Sequence, residues 1–139
     1  MNKYIVWIIG VAVVIAGGFF AWQKAQGPAP VIDNENIRVA VPFLNALIAS
    51  PLMVSGEARG MWYFEASFPV FLLDANRAEV ATVPAQAQGE WMTKDFVPFS
   101  ATLDFLAPTT DTGFLVLKKD NPSGLPEHDA QIEIPIRFR

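Results

Sequence analysis

The chain has 139 residues, 52% of them hydrophobic, a formal net charge of −4 and no cysteine. That length holds one domain and an appendage, and the missing thiols exclude a disulfide framework, a thiolate metal site, a cysteine nucleophile and a lipid-modified N-terminal cysteine. An acidic surface with no basic run argues against nucleic acid as a partner and against docking on anionic lipid.

Much of the apolar excess lies at the start. From Tyr4 to Trp22 no residue is charged. At about 1.5 Å rise per residue, a helix of that length nearly matches a ~30 Å hydrocarbon core. Tyr4 and Trp7 at one end and Phe19, Phe20 and Trp22 at the other suit the two membrane interfaces. Lys3 places positive charge on the short side. Residues 1–23 therefore read as a transmembrane signal-anchor, single-pass in the cell membrane through residues 4–22, with the C-terminal part outside the cytoplasm. The competing reading is a cleaved signal peptide, with Ala25-Gln26-Gly27 as a weak cleavage site; its apolar region ordinarily runs about 7–15 residues, shorter than this one. Gly17-Gly18 is too small a signal to argue for helix pairing.

Residues 24–36 read as a linker: Gly27-Pro28-Ala29-Pro30 cannot hold a helix, and Asp33-Asn34-Glu35-Asn36 is polar. The domain spans residues 37–139. Ile37, Val39 and Val41 alternate with Arg38 and Ala40, and Leu44–Ala49 reads as one helical turn. Strand patterns follow at Val54–Arg59, at Phe64, Ala66, Phe68, Val70 and Leu72 on one face, and at Glu79–Ala87, interrupted by Pro84. Phe99, Ala101, Leu103 and Phe105 alternate with Ser100, Thr102 and Asp104; Phe114–Lys118 makes another strand, and Ile132, Ile134, Ile136 and Phe138 close the series. Breaker clusters separate these runs, at Ser50-Pro51, Asp74–Asn76, Gln88-Gly89, Pro108–Gly113 and Asn121–Gly124. About seven short strands between turns predict an all-β antiparallel sandwich. Pro69, Pro84 and Pro135 fall inside strand patterns, which places those strands at edges or bulges.

Several stretches together resemble a known family. They are Ser50-Pro51-Leu52-Met53-Val54-Ser55-Gly56-Glu57-Ala58, then Trp62-Tyr63-Phe64-Glu65-Ala66-Ser67-Phe68-Pro69-Val70, Gly89-Glu90-Trp91-Met92, Phe99-Ser100 and Asp120-Asn121-Pro122-Ser123-Gly124-Leu125-Pro126. In this order they resemble the bacterial spore germination immunoglobulin-like domain family, over roughly residues 37–138. The resemblance implies an immunoglobulin-like β-sandwich in a bacterial envelope protein. Some relatives carry the module beside a GerM-type domain associated with sporulation and germination; no such domain is read here. No catalytic motif is implied.

The chemistry-bearing residues are few. His128, the one histidine, sits between Glu127 and Asp129 with Ser123 nearby. A triad is recognised by geometry, and polar residues close in sequence usually make a solvated loop. No catalytic residue is assigned, and a hydrolase is the third reading. Asp120, Asn121, Glu127 and Asp129, or Asp74 and Asn76, supply oxygens that suit calcium, but turn chemistry explains them equally; no metal ligand and no cofactor is assigned. Trp62, Tyr63 and Phe64 are consecutive, so in a strand they cannot all face inward. An exposed ring there, or Trp91 beside Gly89-Glu90, would stack on a sugar or anchor a protein. The candidate binding surface is Trp62, Tyr63, Trp91, Asp120, Asn121, Ser123 and Leu125. The leading expectation is a non-enzymatic envelope module binding another envelope protein or cell-wall glycan; the second is a structural spacer or assembly subunit.

Overall fold

The computed structural model describes residues 32–139. The expected anchor over residues 1–23 and most of the linker lie outside the described residues. Among the described residues no helix is long and apolar enough to cross a membrane.

The chain forms β1 (Ile32–Asp33), β2 (Ile37–Val41), β3 (Ala46–Ile48), β4 (Leu52–Arg59), β5 (Ser67–Asp74), β6 (Glu79–Ala87), β7 (Phe96–Leu103), β8 (Thr112–Lys118) and β9 (Gln131–Phe138), with 3₁₀ turns at Gly60–Trp62 and Pro126–His128. Strand order is β1-β2-β4-β7-β6-β5-β8-β9-β3. β4 pairs with β7 along its whole length, from Leu52↔Leu103 to Arg59↔Phe96. β7 meets β6 only at Gln86↔Ser100 and Ala87↔Phe99. The ladder folds over at that seam, giving two layers, β1-β2-β4-β7 and β6-β5-β8-β9-β3. Alternation explains the core between them: Val97, Phe99, Ala101 and Leu103 of β7 face Phe68, Val70 and Leu72 of β5 and Ile134 and Ile136 of β9, all buried. All pairings are antiparallel except β3 with β9, which is parallel.

Gly56 shows why a small residue sits in β4. A Cβ there would lie 2.1 Å from the Arg38 carbonyl oxygen, where β2 bulges between Val39 and Val41 and presses onto its neighbour.

The strand prolines follow a rule of their own. Pro69 pairs with Pro84. Two prolines cannot exchange N–H bonds, so this pair is the kind without mutual hydrogen bonds, and the missing donors point away from each other. On the Pro69 side the β5–β8 ladder reaches Val70↔Leu117 and goes no further. On the Pro84 side β7 has already diverged. β5 is nevertheless an inner strand, so the edge-or-bulge expectation is met at Pro84 and replaced at Pro69 by a truncated ladder. The Pro135 carbonyl accepts the Asn45 N–H at 2.7 Å, just before β3 begins to pair.

Three expectations are corrected. Leu44–Ala49 is not a helical turn: Ala46–Ile48 is β3, held by the edge of β9. β5 starts at Ser67, because Glu65 and Ala66 take left-handed φ values of 50° and 65° and turn the chain before it. The end of the linker belongs to the domain: β1 pairs with β2 across a turn in which Asn34 Oδ1 accepts the N–H groups of Asn36 (2.8 Å) and Ile37 (2.9 Å). With β1 and β3 added, the described residues hold nine strands instead of about seven.

Tyr63 ties the connection after β4 to β7. Its hydroxyl donates to the Val97 carbonyl at 2.6 Å within the core, and burial pushes its pKa above the ordinary value of 10.0. A tyrosine whose folded pKa is raised contributes stability that is full below pH 10 and is lost as pH rises past it, since only unfolding lets the phenol ionise freely. Tyr63→Phe is expected to lower stability by about 1–3 kcal/mol at neutral pH, because the buried Val97 carbonyl loses its partner. It is also expected to flatten the loss of stability above pH 10. Urea titrations at pH 7 and at high pH check both parts; a variant as alkali-sensitive as the parent would contradict the second.

Candidate functional site

Alternating strand direction brings three loops to one end of the sandwich, residues 60–66 after β4, 88–95 before β7 and 119–130 after β8, beside the short β1–β2 turn at residues 34–36. This end is called the tip. β1 runs toward it, and Ile32, where the described chain starts, lies level with Val39 and Gly56 in the middle of the sheet.

The tip is built around the 3₁₀ turn Gly60–Trp62. Gly60 N donates to the Asp95 carbonyl at 3.3 Å, and Asp120 N donates to the Trp62 carbonyl at 3.0 Å. A Cβ on Gly60 would lie 2.0 Å from the Thr93 oxygen and 2.2 Å from the Trp91 oxygen, so the 88–95 loop lies directly against it. Arg59 adds a clamp, with Nε donating to the Glu35 carbonyl (2.6 Å) and Nη1 to the Lys94 carbonyl (3.0 Å), while its guanidinium stacks 4.3 Å from the Phe96 ring centroid.

The candidate residues divide sharply. Trp62 and Tyr63 are 2% and 4% exposed and belong to the core; as binding residues they are corrected. In a 3₁₀ turn consecutive side chains are not forced to opposite faces, so both rings go inward and Phe64 is left out. Trp62 Nε1 has no hydrogen-bond partner among the described residues, so its ring contributes through packing. Trp91 is half-buried and packs on the core from the tip. Asp120 and Asn121 are half-buried, and Ser123 and Leu125 are exposed.

The polar members of the 119–130 loop hold its shape. Asn121 Nδ2 donates to the Leu125 carbonyl and to Asp129 Oδ1, both at 2.8 Å. Ser123 Oγ donates to Asn121 Oδ1 at 2.5 Å and accepts the Leu125 N–H at 3.2 Å. Ser123 and Asp129 thus each meet Asn121 instead of the His128 ring, and no nucleophile–base–carboxylate relay is assembled from them. Among the described residues no group of three or more His, Cys, Asp or Glu side chains is gathered to hold a metal ion. In the other candidate loop, Asp74 Oδ1 accepts from Asn76 N (2.8 Å) and Ala78 N (2.9 Å), which is turn chemistry.

Sequence reasoning missed the apolar surface of the tip. Met61 is 56% exposed, Phe64 42% and Met92 74%, and Leu125 adds 47% from the third loop. A signal was present for Met61, Met92 and Leu125, which lie outside the strand patterns among turn-forming neighbours, whereas Phe64 was hidden by its apparent period with Ala66 and Phe68. A cleft of about 320 Å³ lined by Glu90, Thr93, Asp95 and Pro98 lies beside them.

Comparison with known proteins gives one match. The family model for the immunoglobulin-like domain of bacterial spore germination matches residues 36–125, from the turn before β2 to the middle of the tip's third loop. No curated protein and no solved structure matches the chain.

Proposed function

The chain belongs to the immunoglobulin-like domain family of bacterial spore germination, and from that premise we propose that it is a non-catalytic, membrane-anchored extracytoplasmic module whose tip binds another envelope component, protein or cell-wall glycan. The observation that carries this reading is the set Met61, Phe64, Met92 and Leu125, four exposed large apolar side chains on three loops at one end. Such side chains clustered on a rigid frame mark interaction sites on small domains, and methionine adapts to varied partners. The uncharged segment Tyr4–Trp22 supports the anchoring.

The burial of Trp62 and Tyr63 favours a second reading, a structural spacer, because the most conspicuous aromatics serve the core. One experiment separates the two. The full chain in detergent is used to capture binders from solubilised envelopes, alongside a Met92→Ser, Leu125→Ser double variant, with a melting curve for each. Exposed positions change stability by about 0.5 kcal/mol or less, whereas central interface side chains contribute about 2 kcal/mol or more to binding. The binding reading expects capture by the parent chain, a roughly tenfold or greater loss in the variant, and nearly unchanged melting. Capture by neither, or equally by both, favours the spacer.

A further inference from the structure

Resting on the tip as the binding surface, we infer that the tip's partner is a protein surface with an apolar centre and a rim of lysine or arginine. An anionic glycan, a lipid headgroup layer and a second copy of this chain fit it poorly. The argument is charge complementarity around an apolar patch.

The three tip loops carry Glu65, Glu90, Asp95, Asp120, Glu127 and Asp129 against only Lys94 and Lys119. Lys119 Nζ is turned onto the His128 carbonyl at 3.0 Å. The ion pairs among the described residues are Arg38 with Asp33 and Glu57, and Arg77 with Glu133; none engages a tip carboxylate. All of the tip carboxylates but Asp120 are exposed. Exposed methionine and leucine side chains therefore share these three loops with carboxylates that no ion pair neutralises among the described residues.

A partner that covers the apolar centre must bring its rim close to those carboxylates. Like charge there costs several kcal/mol, while opposite charge steers encounter and fixes orientation. A second tip or a phosphate-rich polymer presents the wrong sign. A basic-rimmed protein presents the right one, and its apolar centre supplies the contact that a bare polycation lacks.

The test uses the full chain in the cells that make it, with the photo-crosslinker p-benzoylphenylalanine replacing Met92, or replacing Phe43 at the opposite end as a control. Phe43 is 58% exposed, so its ring too is accessible to a partner. The expected result is a protein adduct from position 92 and none from 43. Mass spectrometry of the joined peptide is expected to find lysine or arginine flanking apolar residues. Adding Glu90→Lys and Glu127→Lys is expected to reduce adduct yield roughly tenfold, Glu90→Gln with Glu127→Gln to reduce it less, and neither pair to shift the melting curve. An adduct whose yield ignores charge reversal overturns this inference and leaves the tip as the binding surface. So does an adduct to glycan, to lipid or to a second copy. No adduct from position 92 overturns the tip reading itself.

Discussion

Phe68→Ala is expected to remove about 3–5 kcal/mol of folding stability, the usual cost of deleting a buried phenylalanine ring. The ring is 0% exposed and touches three others edge-on, with centroids 6.5 Å from Trp62, 5.2 Å from Tyr63 and 5.0 Å from Phe99. Those neighbours come from the 3₁₀ turn, from the chain just after it and from the opposite layer, so the hole left by the ring would lie where the two sheets and the tip meet. Edge-to-face pairs contribute about 0.5–1.5 kcal/mol beyond area burial, which puts this site at the upper end of the range. A domain of this size has about 5–15 kcal/mol in total, so the variant should sit near its unfolding threshold. Urea titration is expected to show a lower midpoint at unchanged slope, with Phe68→Leu falling between. A loss under about 1 kcal/mol would mean that these four rings do not form one packed unit.

Gly60→Ala is expected to do comparable harm by another route. The new methyl would meet two carbonyl oxygens, Thr93 at 2.0 Å and Trp91 at 2.2 Å. Both belong to backbone, so no rotamer change relieves the contact. Overpacking commonly costs about 1–3 kcal/mol and more when the obstacle cannot move; a loss of about 3 kcal/mol is expected here, together with displacement of the 88–95 loop. Gly89→Ala is the control. A Cβ at Gly89 meets nothing within 4 Å, and replacing glycine at a compatible site is neutral or stabilises by about 0.4–1 kcal/mol. Thermal melts of the two variants decide the matter: if Gly60→Ala melts with the parent, the loop is not seated as described.

Strands with a clear period were legible in the sequence. Phe99, Ala101 and Leu103 in β7, and Ile134, Ile136 and Phe138 in β9, alternate and are buried as the period requires. What escaped was whatever depends on a distant partner. β3 is three residues long and exists because β9 offers an edge to Ala46, Leu47 and Ile48; nothing within Leu44–Ala49 announces that. β1 is shorter still and was hidden in a polar stretch whose Asn34 closes a turn. At the tip, the expectation rested on the largest aromatics, and burial decides against two of them. Trp62 and Tyr63 were candidate binding rings and are core, Phe64 of the same triplet is the ring left outside, and Met61 and Met92, which were not candidates, are exposed as well. The change from a strand period to a 3₁₀ turn at Gly60 decided that exchange, and it rests on how closely the 88–95 loop approaches, a contact invisible along the chain.

The Pro69–Pro84 pair bears on how the molecule behaves in a crowd. Between Ala81 and Ala85, an uncharged stretch, β6 has no strand paired to its outer side among the described residues, the kind of open edge that other chains can pair with. In an antiparallel ladder only every second residue directs its N–H outward; Pro84 has none to direct, which leaves Thr82 as the single outward donor of that run. A foreign strand could gain one bond there and could not propagate. At high concentration, copies of the domain are thereby kept from zipping together through this edge.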